Sequence, residues 1–387
     1  MDRKEYIHQI ENAFKVTPIV AILGPRQCGK TTLAKQYVAR VKESSRLENY
    51  FDLEDPDDLT RLTHPKLTLS ALEGLITLDE IQRVPEIFPL LRVMVDDNTL
   101  NQKYLILGSA SRMLIRQSSE TLAGRISYIE LTPFNLSEVN ESKNLWLRGG
   151  FPRSYLAQDD QSSVAWRKEF IRTYLEQDIP QLGIQVITSN LRRFWMTLAH
   201  YHGNIFNASE IGRALNISHT TTKSYLDILS NTFMLRQLQP WHENIKKRQV
   251  KSPKIYFRDS GILHALMGIK DTSDLLTHPK IGASWEGFAL EEITRHLNAN
   301  QEDCYFWAAH AHAELDLLVF KDGKKYGYEF KYSDTPRLSK SMYTVLEDLK
   351  LEKLIVIYPG NKQYSPHEKV IICGLEDYIS GACGDMP

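Results

Sequence analysis

From its N-terminus, the chain first sets apolar residues at Ile7, Ile10 and Phe14, the spacing of one helical face. It then gathers them into a short run, Pro18–Leu23, that stops at Gly24. A short continuous apolar run suits a strand buried on both faces of a parallel sheet. A helix is predicted from about Lys30, then strands at Tyr50–Leu53, Leu75–Leu78, Tyr104–Leu107 and Ser127–Leu131, with helical patterns between them. Strand–helix alternation of this kind predicts a parallel sheet with helices on both faces.

The texture changes near Leu145. Gly149-Gly150 and Pro152 break the pattern, and Trp166–Asp178 and Leu191–His202 read as helices. A compact helical stretch, Ala208–Asn231, precedes β-prone segments at Met234–Leu238 and Lys254–Phe257. Past Gly282 a helix runs to His296, followed by β-prone runs at Cys304–Trp307, Glu314–Phe320 and Tyr326–Phe330, a further helix, and a strand at Leu354–Tyr358. No internal repeat and no low-complexity segment interrupts this order.

A chain of 387 residues exceeds the size at which single cores stop growing, so two or three domains are expected. With 42% apolar and 25% charged residues the composition is that of a globular protein. The net charge of −1 supplies no global basic field, so a nucleic-acid partner would need a local patch. The charged stretch Met1–Asn12 lacks the apolar core of a signal peptide, and no apolar run approaches the roughly 18 residues that span a bilayer. Cys28, Cys304, Cys373 and Cys383 show no C-x-x-C spacing; reduced thiols in a cytoplasm are expected, with no zinc site and no membrane partner.

Gly24-Pro25-Arg26-Gln27-Cys28-Gly29-Lys30-Thr31 matches G-x-x-x-x-G-K-[ST] at every position, with Thr32 following. The glycines let the backbone curl with its N–H groups turned inward on phosphates, and the helix starting at Lys30 adds its positive end. Lys30 is expected on the β- and γ-phosphates and the Thr31 hydroxyl on Mg²⁺. The apolar strand Leu75-Ile76-Thr77-Leu78 ends in Asp79-Glu80, which sets two carboxylates at the sheet edge where open α/β sheets bind ligands. Asp79 is the expected magnesium partner through its water shell, and Glu80 the expected base for the attacking water. Leu105–Leu107 empties into Gly108-Ser109-Ala110-Ser111. Either Ser109 or Ser111 suits sensing of the γ-phosphate or positioning of water, and a turn that caps the next helix serves equally. Arg125 and Arg26 are candidate cations for charge developing on the transferred phosphoryl group, with a plain salt bridge as the alternative for each.

Gly24–Thr31, Leu75–Gln82, Leu107–Ser111 and Ala123-Gly124-Arg125 resemble the AAA-type P-loop ATPase domain of many prokaryotic proteins, in which a C-terminal domain of unknown function follows. Gly149-Gly150-Phe151-Pro152, Tyr256-Phe257-Arg258-Asp259-Ser260-Gly261-Ile262-Leu263 and the Gly282…Glu286 helix resemble that second domain. Arg258 departs from the apolar residue usual there. The resemblance implies ATP rather than GTP, there being no N/T-K-x-D base reader.

Ser209–Leu229 reads as helix, tight turn, helix, with Ile211, Leu215, Tyr225 and Leu229 packing together and Asn216 at the turn. Ser218, His219, Thr220 and Lys223 would be exposed at the start of the second helix, as in a helix-turn-helix. The β pair after it would form a wing carrying Lys246, Lys247, Arg248 and Lys251; a packing module is the alternative to DNA contact. Further on, Asp316 and the Glu329-Phe330-Lys331 step fall on neighbouring strands joined across Asp322-Gly323, and period-two alternation puts Glu329 and Lys331 on one face. Glu286 on the preceding helix is a fourth candidate. Carboxylates with a lysine suit Mg²⁺-dependent phosphodiester cleavage, and the D…E-x-K set resembles the restriction-endonuclease-like fold, the fold that the family likeness also implies here. A solubilising charge pattern would give the same letters.

The expected fold class is therefore α/β, with a helical segment between two sheet-bearing parts. Residues 1–144 are an ATPase domain with a parallel sheet, residues 145–270 a helical and winged-helix-like segment, and residues 271–387 a restriction-endonuclease-like domain. The expected activity is Mg²⁺-dependent ATP hydrolysis coupled to a DNA-binding or nuclease-like module. Competing readings are a nucleotide-gated switch for a protein partner with a silent nuclease-like domain, and a nucleotide kinase, for which no lid of clustered arginines is present.

Overall fold

The computed structural model describes residues 1–41, 49–97, 99–109, 121–243, 250–309 and 313–384. They form two compact units, Met1–Pro133 with Asn231–Phe233, and Phe134–Ser230 with Met234–Pro387.

The first unit is built on β1 (Ile19–Leu23), β2 (Tyr50–Asp52), β3 (Gly74–Asp79), β4 (Gln102–Gly108) and β5 (Ile126–Glu130), all parallel in the order β2-β3-β4-β1-β5. The sequence reading places all five strands to within two residues at either end. All five residues of β1 are buried, as a central parallel strand requires. The lead-in helix Lys4–Val16 buries Tyr6, Ile7, Ile10 and Phe14 with Val20 and Ile22 of β1. On the opposite face Ile76, Leu78 and Tyr104 pack with Phe88 and Leu91 of the helix Ile87–Asp96. Because the strands are parallel, the segments that follow β1, β3 and β4 all emerge at one edge, with β4 lying between β1 and β3.

The second unit holds a nine-stranded mixed sheet. Its strands are β6 (Asn204–Ile205), β7 (Leu235–Pro240), β8 (Lys254–Phe257), β9 (Cys304–Ala309), β10 (Ala313–Lys321), β11 (Lys324–Phe330), β12 (Lys353–Tyr358), β13 (Tyr364–His367) and β14 (Val370–Gly374), in the order β13-β14-β12-β11-β10-β9-β7-β8-β6. Asp322 and Gly323 at the β10–β11 turn both have positive φ, 50° and 74°, the requirement of a two-residue turn matched to strand twist. β7 and β8 pair antiparallel, and β7 also runs parallel to β9 through Gln239↔Tyr305 and Pro240↔Phe306. The β pair expected as a wing is present and is also joined to the large sheet. Lys246, Lys247 and Arg248 lie outside the described residues. The helices Ala208–Leu215 and His219–Asn231 turn at Asn216 in the left-handed region (φ 56°). Among the described residues no helix is long and apolar enough to cross a membrane.

The motifs Gly149–Pro152 and Tyr256–Leu263 clasp each other. Asp259 accepts from Gly150 N–H (2.8 Å) and caps the helix Ser260–Met267 by accepting from Ile262 N–H (2.9 Å). Arg167, buried to 0% exposure, donates to Leu147 O (3.2 Å) and Gly261 O (3.0 Å). A Cβ on Gly261 would lie 2.1 Å from the Arg148 carbonyl oxygen, inside contact distance with rigid backbone. Gly261→Ala should therefore destabilise the protein by about 1–3 kcal/mol, as overpacking does. The check is a lowered urea midpoint for the second unit; an unchanged midpoint would rule out the clasp as a tight packing point.

Candidate functional site

The loop between β1 and the helix Lys30–Arg40 carries Gln27 at φ 62° and Gly29 at φ 101°. Two left-handed residues in three turn successive backbone N–H groups to one side, the shape of an anion-binding nest. Gly24 has no room for a side chain, since a Cβ would meet the Leu131 carbonyl oxygen at 2.2 Å. Lys30 is 5% exposed and folds back over the loop, donating to Gly24 O (3.1 Å) and Pro25 O (2.9 Å). Cys28 is buried, and burial pushes its thiol above the ordinary range. Gln27 and Thr32 are exposed.

Thr31 and Asp79 meet: the Thr31 hydroxyl donates to Asp79 Oδ2 at 2.8 Å. The same oxygen accepts from the Tyr50 hydroxyl at 2.7 Å, and Asp79 Oδ1 accepts from Glu80 N–H at 2.9 Å. Asp79 is 1% exposed. Burial pushes its carboxyl up, the hydrogen bonds from Tyr50 and Thr31 pull it back, and Glu80 and Asp52 push it up again. Glu80 takes φ 55°, which swings it out of the strand, and its Oε2 accepts from Gln82 Nε2 and from the Ser109 hydroxyl (3.3 Å). Gln82 also donates to Ser109 Oγ at 3.0 Å. Glu80, Gln82 and Ser109 form one hydrogen-bonded set at the ends of β3 and β4.

The two candidate arginines part company. Arg125 does not reach the loop: it precedes β5, its carbonyl accepts from Ile19 N–H (3.2 Å) at the start of β1, and parallel strands put that point at the opposite edge of the sheet. Its guanidinium is bidentate on Asp96, at 2.6 and 2.9 Å. Arg26 stays in the loop and pairs with Glu54 (3.1 Å), which also holds Arg83. Ser111 lies outside the described residues. Tyr50 and Gln82 were missed by the sequence reading; the signal for Gln82 was its place two residues beyond Glu80, and for Tyr50 only a hydroxyl opening a short strand.

In the second unit, β10 and β11 bring Asp316 and Glu329 side by side, one step before the Leu317↔Tyr328 pair. Lys331 Nζ lies 2.6 Å from Glu329 Oε2 and 3.9 Å from Asp316 Oδ2, which also accepts from Phe330 N–H at 3.0 Å. Glu286 of the helix Ile281–His296 joins them through two residues that the sequence reading passed over. The Tyr256 hydroxyl donates to Glu286 Oε1 at 2.5 Å, and Lys254 Nζ lies 3.6 Å from that oxygen and 3.7 Å from Asp316 Oδ1. Burial first, then the charge of Asp316, raises the carboxyls of Glu286 and Glu329. Burial opposes the charge on Lys331, and Asp316 and Glu329 outweigh it. A charged residue opening the otherwise apolar strand Lys254-Ile255-Tyr256-Phe257 was the available signal. Ser218, His219, Thr220 and Lys223 are exposed where the helix His219–Asn231 begins.

Comparison with known proteins adds the following. Residues 16–140 match the family described as AAA domain, 139–273 a domain of unknown function (DUF8612), and 281–378 a domain of unknown function (DUF4143). An uncharacterized protein of Mycobacterium tuberculosis is 45% identical over 382 residues, covering 98% of this chain and 85% of that protein. An uncharacterized protein of Methanocaldococcus jannaschii is 22% identical over 92% of this chain and 83% of its own length. Among solved structures, a Walker-type ATPase of Pyrococcus abyssi aligns over 69% of this chain and 95% of its own, at 16% identity and a TM-score of 0.48.

The Tyr50 hydroxyl has a measurable consequence. Asp79 has a folded-state pKa above its unfolded one, so it is protonated in both states at low pH, and its burial costs stability as pH rises into the neutral range. Tyr50→Phe removes a donor to the ionised form and raises that pKa further, so the penalty appears on the alkaline side only. The variant should lose about 1–2 kcal/mol at pH 7 and converge on the wild type below about pH 4. Urea titrations at the two pH values check this, and an equal deficit at both would refute it.

Proposed function

For a chain that belongs to the family of AAA-type P-loop ATPase domains followed by a C-terminal domain of unknown function, we propose Mg²⁺-dependent ATP hydrolysis in the first unit, with the nucleotide state governing how the second unit engages its partner. The observation that carries the reading is the 2.8 Å contact between Thr31 and Asp79 at the mouth of a loop whose lysine is already folded over it. Oxygen donors of this kind fit a hard divalent cation. Thr31, with Asp79 through water, would hold Mg²⁺, which when bound supplies charge neutralisation to the phosphate oxygens.

The chain's own residues do the rest. Backbone N–H groups from Gln27 to Thr31 cradle the phosphates, and Lys30 exchanges its two carbonyl partners for phosphate oxygens. Glu80 orients the attacking water, and Gln82 and Ser109 hold the Glu80 carboxylate in place. Arg26 is retained as a candidate cation. Arg125 is not, because it sits at the far edge of the sheet. Four buried free thiols support a cytoplasmic setting.

For the second unit, the restriction-endonuclease-like reading rests on Glu286, Asp316, Glu329 and Lys331, and the DNA-contact reading on the exposed Ser218, His219, Thr220 and Lys223. The lysine pairing of the carboxylates favours a silent nuclease-like domain, as in the alternative of a nucleotide-gated switch for a protein partner; a DNA-binding module that cuts nothing is the other non-cutting form. Lys30→Ala, which removes the ammonium folded over the loop, should reduce ATP hydrolysis to background, and retained turnover would refute the assignment. Turnover measured with and without duplex DNA separates the partners: stimulation by DNA supports DNA, and an unchanged rate supports a protein.

A further inference from the structure

The D…E-x-K set would be a divalent-metal site if its carboxylates converged on open space. They converge on an ammonium. Lys254 enters from β8, outside the β10–β11 hairpin that carries Asp316 and Glu329, and its side chain is 5% exposed. Its Nζ stands between Glu286 Oε1 (3.6 Å) and Asp316 Oδ1 (3.7 Å), contacts Glu314 Oε1, and lies 5.7 Å from the Phe306 ring centroid.

Other contacts converge on the same carboxylates. Asp316 Oδ2 accepts from Phe330 N–H and faces Lys331, Glu329 Oε2 pairs with Lys331, and Glu286 Oε1 accepts from Tyr256. Among the described residues no group of three or more His, Cys, Asp or Glu side chains is placed to hold a metal ion. Two lysines thus face Glu286, Glu314, Asp316 and Glu329. A divalent ion entering between Glu286 and Asp316 would meet a buried positive charge that cannot leave for water without emptying its own pocket.

We propose that Lys254 is a resident cation, occupying the position between Glu286 and Asp316 that a divalent metal would take, so that the cluster is a fixed ion-pair array with no metal of its own. The proposal deepens the reading of the second unit as a non-cutting module and is independent of ATP hydrolysis in the first. It makes Lys254 the residue that separates this cluster from a metal centre: Lys254→Met keeps the length of the side chain, removes the ammonium, and leaves the carboxylates to recruit a cation from solvent.

The test is Mn²⁺ binding by the nucleotide-free full-length protein, followed by electron paramagnetic resonance. In the otherwise wild-type chain, Asp79→Asn should remove whatever Mn²⁺ is bound. Lys254→Met should bind one further Mn²⁺, lost again in Lys254→Met/Asp316→Asn, and Mn²⁺ should raise the melting temperature of Lys254→Met and not that of the wild type. Mn²⁺ that persists in Asp79→Asn and disappears on adding Asp316→Asn would overturn the proposal, and so would a folded Lys254→Met that gains none. Should Lys254→Met fail to fold, the comparison of wild type with Asp79→Asn still decides. ATP turnover, measured separately on Lys30→Ala, reports on the first unit alone.

Discussion

The first unit depends on a buried carboxylate held at the end of a strand. Asp79 is almost fully enclosed, and an ion of that kind left without partners would neutralise itself or unfold its surroundings. It is tolerated because the Thr31 and Tyr50 hydroxyls and the Glu80 N–H converge on its two oxygens. Hydrogen bonds to a charged group contribute roughly 1.5–3 kcal/mol each, which offsets part of a desolvation cost of several kcal/mol and leaves the carboxyl raised. The arrangement also fixes geometry. Thr31 is the second residue of its helix, so the bond to Asp79 ties the phosphate loop to β3 across the intervening β4. Glu80 is then forced into a left-handed conformation that lifts its side chain toward Gln82 and Ser109.

In the second unit, backbone proximity plays the part that the buried carboxylate plays in the first. Gly149, Gly150 and Gly261 each lie where an added Cβ would fall within 2.2 Å of another atom, and Asp259 bridges the two glycine-bearing segments. In the sequence these residues carry the resemblance to the C-terminal domain of unknown function. Their contacts show a structural duty: they let Arg167 reach the carbonyls of Leu147 and Gly261 from a position with no exposure, where burial lowers its pKa to about 10. The chemistry-bearing residues of that region stand a few positions earlier, at Lys254 and Tyr256.

What could be read from the sequence divides along the same lines. The five parallel strands were legible because each is a short apolar run with a glycine, a proline or acids at its end, and the phosphate loop because its residue types have few other uses. The pairing of Asp316 with Glu329 followed from period two and a two-residue turn at Asp322-Gly323. For Arg125 the sequence left a phosphoryl-group cation and a plain salt bridge both open, because it does not say which edge of a sheet a position occupies; the register of Ile126 against Ile19 and the pair with Asp96 bear out the salt bridge. The β pair after the helical stretch was legible, whereas the pairing of β7 with β9 was not, because it joins residues some 65 apart in sequence, a contact with no local signature. β13 and β14 went unread, the first being short and polar at its centre.

The two carboxylate sets are handled in opposite ways. Around Asp79 the partners that touch its oxygens are neutral, two hydroxyls and a backbone N–H, and the nearby charges are the acids Glu80 and Asp52. Neutral donors orient a carboxylate without cancelling its charge, so the negative potential there remains available to a cation. Around Asp316 the partners include two ammonium groups, and the potential is spent inside the protein. Similar residue types therefore carry different consequences: an acid beside hydroxyls is prepared for a metal, whereas an acid beside a buried lysine has already found its counter-ion. Letter patterns such as D-E and E-x-K do not distinguish these cases, because the deciding residues, Tyr50 in one and Lys254 in the other, lie on different strands from the acids they act on.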